Sequence, residues 1–354
     1  MIVGTRDFFG FERLHYHPRS GASAGGILQV LRASGQPAGP PDVTAIAGYL
    51  SGERVVGRTV LRDVLAVPPG HALIRSSQGL EVHAAPSEPV RADLETVLRD
   101  ALQRALDSGK RVALALSGGL DSALLLALLR ELGAHRHVTS YILATDMPDY
   151  CELDAALELA DQMQASVKIV RACEADFVAA LPRTTHAVEE PMFNLHPVAK
   201  LLLAEAMAAD GIELAITGDG ADQVLRRDQS ANYLPLCHAL FDAASVSLCP
   251  PFVDLAVVNH LTSIPPDPDK HCLRELGARL NLPDRLVRGP KRGRLAPAMN
   301  LDALLDRDRI PMLADTLNLP APTLQPDTER VLWTTLTLTL DHLGATLPTH
   351  VARP

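Results

Sequence analysis

Six consecutive residues, Ser117-Gly118-Gly119-Leu120-Asp121-Ser122, combine the parts of a phosphate cradle. Two glycines let the backbone turn tightly and bring its amides close to an anion, and both serines offer hydroxyl donors. Asp121 is placed to hold Mg2+, a cation that takes oxygen ligands and usually shares them with substrate phosphates. In a second run, Thr217-Gly218-Asp219-Gly220-Ala221-Asp222-Gln223, Asp222 can supply a further carboxylate to the same metal. Neither run has the G-x-x-x-x-G-K-[ST] spacing of a Walker loop, and no G-x-G-x-x-G follows a strand. A standard P-loop NTPase and a dinucleotide dehydrogenase are therefore disfavoured.

The surrounding elements must bring these runs face to face. The first follows the apolar stretch Val112 to Leu116 and the second follows Leu214 to Ile216. Further short apolar stretches, Val138 to Leu143 and Val167 to Val170, alternate with helix-spaced segments at 121–132, 152–164 and 197–209. Strands separated by helices predict an α/β domain with a doubly wound, mostly parallel sheet, and ligands bind such a sheet at its carboxyl edge. Leu94, Val97, Leu98, Ala101, Leu102 and Ala105 share one face of an opening helix, and Pro86-Ser87-Glu88-Pro89 ahead of it reads as a linker. Residues 1 to about 85 alternate short apolar runs with turn clusters such as Gly35 to Pro41, which predicts a small strand-rich unit. The division expected is 1–88 and 89–354, with a helical, proline-punctuated pattern after Asp222.

With 354 residues, 47 % of them apolar, both parts can bury a core. The formal charge of -9 argues against a general nucleic-acid binder, which needs a basic surplus against phosphates. No apolar run is long enough to span a bilayer and the first residues lack a signal pattern, so a cytoplasmic protein without membrane contact is expected. Five cysteines without C-x-x-C spacing read as ordinary thiols. His15 and His17 would share a strand face at a spacing that can hold a metal, but no third ligand lies nearby in sequence.

Taken together, these runs resemble those of the ATP-pyrophosphatase enzymes, in the version shared by asparagine synthetases, β-lactam synthetases and lasso-peptide cyclases. Ser117 to Ser122 looks like their pyrophosphate loop, Glu189-Glu190-Pro191 like their Asp-Glu-Pro, and Thr217 to Gln223 like their Ser-Gly-Glu-Gly-Ala-Asp-Glu. Pro251-Phe252-Val253-Asp254, Lys270 to Arg274 and Pro290-Lys291-Arg292-Gly293 resemble their Pro-Phe-Leu-Asp, Lys-x-x-x-Arg and Pro-Lys-Arg-Gly elements. The resemblance covers about 90 to 300. It implies ATP and Mg2+ as cofactors, with Ser117, Gly118, Gly119, Asp121, Ser122, Thr217 and Gly218 at the nucleotide and Asp121 and Asp222 on the metal. Lys291 is implied as the catalytic lysine, where a positive charge meets negative charge developing on the α-phosphate. Lys270 and Arg274 are weaker phosphate contacts. Asp219 replaces the family's Glu or Tyr and is either a general base for the attacking amine or purely structural.

Arg6 to Gly10, Ala47 to Leu50 and Val67 to His71 resemble the later part of the glutaminase domain of asparagine synthetases. The first domain thus reads as a degenerate, truncated relative. Ile2 follows Met1 and no cysteine precedes Cys151, so the thiolate nucleophile of glutamine hydrolysis is missing. The implied function is a synthetase that adenylates a small-molecule or peptide carboxylate, releases pyrophosphate and lets an amine displace AMP. The amine comes from the substrate itself, as in lasso-peptide or lactam closure, or from ammonia. A carrier protein or precursor peptide suits as partner. The alternative is a nucleotide-binding pseudoenzyme or partner subunit without turnover.

Overall fold

The computed structural model describes residues 1–85, 93–147, 150–227, 233–290 and 299–347. The first part runs β1 (Ile2–Thr5), β2 (His15–Tyr16), β3 (Ser23–Ala24), α1 (Ile27–Ser34), α2 (Val43–Leu50), β4 (Leu65–Ala66), β5 (His71–Ser76) and β6 (Gly79–Ala84). Its strands form two small antiparallel sheets, β1-β5-β6 and β3-β2-β4. The small strand-rich unit expected here also holds two short helices, α1 and α2. Asp42 caps α2 by accepting from the Ala45 amide at 3.0 Å, a start signal that outweighs the poor helix propensity of Val43, Thr44 and Gly48.

The second part continues with α3 (Leu94–Leu106), β7 (Val112–Ala115), α4 (Leu120–Glu131), β8 (Thr139–Thr145), α5 (Leu153–Gln162), β9 (Val167–Ala172) and α6 (Glu174–Val188). After these come α7 (His196–Ala209), β10 (Leu214–Ile216), α8 (Ala221–Arg226), α9 (Leu234–Ala243), β11 (Ser247–Cys249) and α10 (Leu255–Ser263). The last helices are α11 (His271–Arg279), α12 (Asp284–Val287), α13 (Arg309–Thr316) and α14 (Asp327–Leu343). The face expected for the opening helix is the one α3 buries, and α4 is buried on every side from Ser122 to Leu129, as a helix under a sheet must be. β11 and α6 escape the sequence reading: β11 is a three-residue edge strand, and α6 carries Pro182 in its interior.

All five strands of the large sheet run parallel in the order β11-β10-β7-β8-β9. The chain goes outward from β7 through β8 to β9, then returns to the other side of β7 for β10 and β11. This is a doubly wound α/β sheet with its switch point between β7 and β10, where successive connections diverge and leave a crevice at the carboxyl ends.

The two parts share their cores. Ile27, Val30, Ile46, Leu61 and Val64 of the first part pack in one cluster with Ile310, Leu313, Trp333, Leu336 and Leu340 of α13 and α14, and Phe9 enters the main cluster around α3 and α4. The core therefore crosses the boundary at 88 that the sequence pattern suggests.

Candidate active site at the sheet switch point

Both glycine-bearing loops leave adjacent strands at the switch point. After β7, a ring of hydrogen bonds braces the first loop. The Ser117 amide donates to Ser122 Oγ at 3.1 Å, the Gly119 amide to Ser117 Oγ at 3.2 Å, and the Ser122 hydroxyl to the Ser117 carbonyl at 3.1 Å. Gly119 is the N-cap of α4 without a side-chain cap, so the positive end of that helix faces the loop. After β10, Thr217 is wholly buried, and Gly218 passes so close to the first loop that a Cβ there would lie 3.0 Å from both Asp121 Cβ and the Ser122 amide nitrogen. Glycine is required at 218 because the loops touch. Ser117, Gly118, Gly119, Asp121, Ser122, Thr217, Gly218 and Asp222 thus lie along one crevice.

The Asp121 and Asp222 carboxylates meet at one point, marked by the chain's own cation. Lys270 Nζ lies 2.8 and 2.6 Å from the two oxygens of Asp121 and 3.2 Å from Asp222 Oδ2. Hard oxygen donors that converge within reach of a single ammonium fit Mg2+, so Asp121 and Asp222 would hold the metal in this fold. Among the described residues no group of three or more His, Cys, Asp or Glu side chains is placed to hold a metal. At the phosphate cradle, the Gly118 amide donates to Glu152 Oε2 at 3.0 Å. Two open clefts, of about 510 Å3 beside His17 and Asp63 and about 350 Å3 beside Arg104 and Lys110, are lined by no residue of either loop. At the crevice itself stand Lys270 and Glu152.

Asp219 is held in a buried polar cluster. Lys200 Nζ donates to both its oxygens at 2.9 Å, and the Tyr233 hydroxyl donates to Oδ1 at 2.8 Å. Burial raises the Asp219 pKa, but the Lys200 charge and the hydrogen bonds outweigh it and leave the pKa below the ordinary carboxylate value. Burial lowers the Lys200 pKa while Asp219 raises it, with a net rise. An ionised carboxylate with both oxygens bound to an ammonium is a weak proton acceptor, so the geometry favours the structural role of Asp219 over the general base. His196, whose Nδ1 lies 2.9 Å from the Tyr150 hydroxyl, joins the cluster; burial, then the Lys200 charge, bring its pKa down to about 4, so it is neutral at pH 7.

Lys291, Arg292 and Gly293 lie outside the described residues, and the reading of Lys291 as catalytic rests on the sequence. Arg274, a weaker candidate for phosphate contact, holds the segment leading there. Its Nη1 donates to the carbonyls of Leu286, Val287 and Gly289 at 3.3, 2.9 and 2.8 Å, and its Nε to Asp269 O at 2.8 Å. His15 and His17 are both buried and satisfied by backbone: His15 Nδ1 lies 2.7 Å from Gly25 O, and His17 Nδ1 accepts from the Ser20 amide at 3.1 Å.

Sequence reasoning missed Glu152, Lys200 and Tyr233, none of which belongs to a glycine-rich run. It also left Glu189-Glu190 without a role, and the structure gives it one in docking the first part onto the second. Glu189 accepts from the amides of Ile27 and Leu28 at the start of α1, and Glu190 pairs with Arg54 at 3.0 Å. Burial raises the Glu190 pKa, but Arg54, His15, Arg13 and Arg6 together outweigh it and hold it below its ordinary value. Beside the pair, Tyr49 stacks on Phe193 with ring centroids 4.3 Å apart.

Residues 93–229 match the asparagine synthase family model. Among curated proteins the chain is similar to amidase chry2 of Gibberella zeae, 27 % identical over 198 residues, which is 48 % of this chain and 30 % of that protein. It is also similar to amidase chyE of Penicillium rubens, 26 % identical over 253 residues, covering 63 % of this chain and 37 % of that protein. The chain thus spans about a third of the length of the curated relatives it matches. Among solved structures, NMN synthetase from Francisella tularensis aligns with a TM-score of 0.36 at 16 % identity, covering 73 % of this chain and 97 % of that one. The NH3-dependent NAD synthetase from Campylobacter jejuni aligns at 0.36 and 17 %, covering 73 % and 100 %. These last two likenesses are too distant to bear on the chemistry. No described helix is long and apolar enough to cross a membrane.

Proposed function

We propose that this chain is an ATP-dependent amide-forming synthetase of the AMP-producing kind, acting on a small-molecule or peptide carboxylate in the crevice between β7 and β10. The observation that carries the reading is the convergence of Asp121 and Asp222, from two loops at the switch point, on one cation position beside a glycine-rich phosphate cradle. Mg2+, when bound there, would supply charge neutralisation for the departing pyrophosphate. The backbone amides of the Ser117 to Ser122 loop and the start of α4 bind the phosphates, and Gly118 and Gly218 keep that approach open. A carboxylate oxygen of the substrate attacks the α-phosphorus, the bond to pyrophosphate breaks, and an amine then displaces AMP from the acyl adenylate. Lys291 is the residue proposed to stabilise charge at the α-phosphate. The amine is proposed to come from the substrate itself or from ammonia.

The Asp219–Lys200 pair favours one second reading, a nucleotide-binding subunit without turnover, because the residue at the place of the family's base is ion-paired. ATP–pyrophosphate exchange with Mg2+ across amino acids and candidate peptides separates the two. The synthetase reading expects carboxylate-dependent exchange that falls by at least about a hundredfold in Asp121→Asn. ATP binding with no exchange on any carboxylate would overturn it in favour of the second.

A further inference from the structure

We infer that Lys270 is an internal counter-ion standing at the metal position of the resting site, so that a divalent cation is taken up only together with the phosphates of a nucleotide. The inference rests on reading this crevice as a nucleotide–metal site, and it adds an order of loading to that reading.

Three features carry it. The Lys270 ammonium is within hydrogen-bond distance of both carboxylates, and its side chain is only 7 % exposed, so it fills the place rather than brushing its rim. Among the described residues no group of three or more His, Cys, Asp or Glu side chains is placed to hold a metal, so the described chain offers a divalent ion this carboxylate pair and no larger acidic cluster. On the anion side, the Gly118 amide already has the Glu152 carboxylate as its acceptor. The resting crevice thus contains a cation where a metal belongs and an anion where a phosphate belongs, both from its own chain.

Two carboxylates, the Lys270 ammonium and the Arg226 guanidinium, whose Nε lies 3.8 Å from Asp222 Oδ1, sum to a charge of about zero, which is a weak field for a bare divalent ion. Such an ion must also displace an ammonium from the same oxygens, and the displaced ammonium would be left next to a like charge in a largely enclosed place. A triphosphate changes the balance: its oxygens complete the metal's ligand set and give Lys270 new acceptors. Lys270 then moves from carboxylate to phosphate while Asp121 and Asp222 turn to the metal. Glu152 yields the Gly118 amide in the same exchange.

The test is Mn2+ binding to the whole chain by equilibrium dialysis, read as the excess of Mn2+ on the protein side, with Mn2+ alone and with Mn2+ plus ATP. Wild type is expected to take up Mn2+ at this site only with ATP. Lys270→Met should bind Mn2+ alone at least about tenfold more tightly than wild type. Adding Asp222→Asn should remove that gain, which assigns it to this site. In a thermal melt, Lys270→Met should be less stable than wild type in chelator and regain stability on adding Mn2+, because the ion then binds the folded state. Wild type binding Mn2+ alone as tightly as Lys270→Met, in a manner sensitive to Asp222→Asn, would overturn the inference. Should Lys270→Met not fold, Lys270→Gln and the wild-type titration with Asp222→Asn decide it by the same criteria. The synthetase reading itself stands or falls on pyrophosphate exchange, which this binding test does not use.

Discussion

The Lys200–Asp219 pair makes the sharpest prediction because it is buried, directly bonded and, through Asp219, set in the second glycine-bearing loop. The two side chains are 16 % and 5 % exposed, with both carboxylate oxygens 2.9 Å from the ammonium. Removing one partner of a buried pair leaves a charge without compensation and costs about 3–5 kcal/mol. Lys200→Met keeps the length of the side chain and leaves Asp219 with the Tyr233 hydroxyl as its main partner. Asp219→Asn keeps the shape and strands the ammonium. Each single variant should therefore lower the melting temperature by on the order of 6–15 °C, taking roughly 2–3 °C per kcal/mol for a domain of this size. The double variant carries neither charge and should cost less than the two losses added, by about 1–3 kcal/mol.

The pair's pH dependence follows in sign. Asp219 has a lowered folded pKa, so its contribution is present above the unfolded carboxylate value of about 3.9 and disappears as the pH falls through its folded pKa. Lys200 has a raised one, so its contribution is present below about 10.4 and disappears as the pH rises through its folded pKa. Between roughly pH 5 and 9 the pair's contribution is flat. The same variants separate the two roles of Asp219. A general base predicts that Asp219→Asn keeps pyrophosphate exchange and loses amide product, while Lys200→Met, which frees the carboxylate, keeps both. An anchor predicts that both variants lose activity in parallel with stability. A fall of less than about 2 °C in Lys200→Met would show that the pair contributes little and refute the reasoning.

Two further outcomes concern the rest of the molecule. Burial, then the Arg13 charge, lower the His15 pKa to about 4, so between that value and about 6.5 the unfolded chain binds a proton that the folded one does not. Stability should fall as the pH drops through this window, by about 3 kcal/mol from His15 alone, and melts from pH 7 to 4.5 should show a shallower loss in His15→Phe. Gly220, with φ of 97° and a Cβ position 2.4 Å from Val253 Cγ1, cannot take a side chain without moving the start of α8. Gly220→Ala should cost about 1–3 kcal/mol in a thermal melt and weaken pyrophosphate exchange by displacing Asp222, whereas unchanged exchange would show that the loop tolerates the shift.

The parts of this site that sequence makes legible are those built from neighbours in the chain. β7, its glycine loop and α4 form one continuous stretch, and β10 with its loop forms another. The strand order puts them side by side, as the alternation of strands and helices predicts. Helix α2 was less legible because Val43, Thr44, Ile46 and Tyr49 suit a strand as well, and the deciding Asp42 cap is a single residue. What spacing could not show is pairing across the fold. Lys270 meets Asp121 from 149 positions away, and Glu189 meets Ile27 from 162 away. No local pattern distinguishes Lys200 from any other lysine on an apolar helix.

These long-range pairs share a physical origin. A site that binds a metal and a polyphosphate must gather carboxylates at one point and leave amides unshared at another, and both arrangements are unfavourable in a folded chain without ligand. Here the chain meets that cost with its own ions: Lys270 between Asp121 and Asp222, and Glu152 on Gly118. Every such contact strengthens the empty fold and weakens ligand binding by the same amount, since it must be given up on loading. The exchange is favourable only for a ligand that replaces both kinds of partner at once. A bare divalent ion replaces one and a bare phosphate chain the other. A metal-bound polyphosphate replaces both, so the internal ions that stabilise the resting crevice also set which ligand can open it.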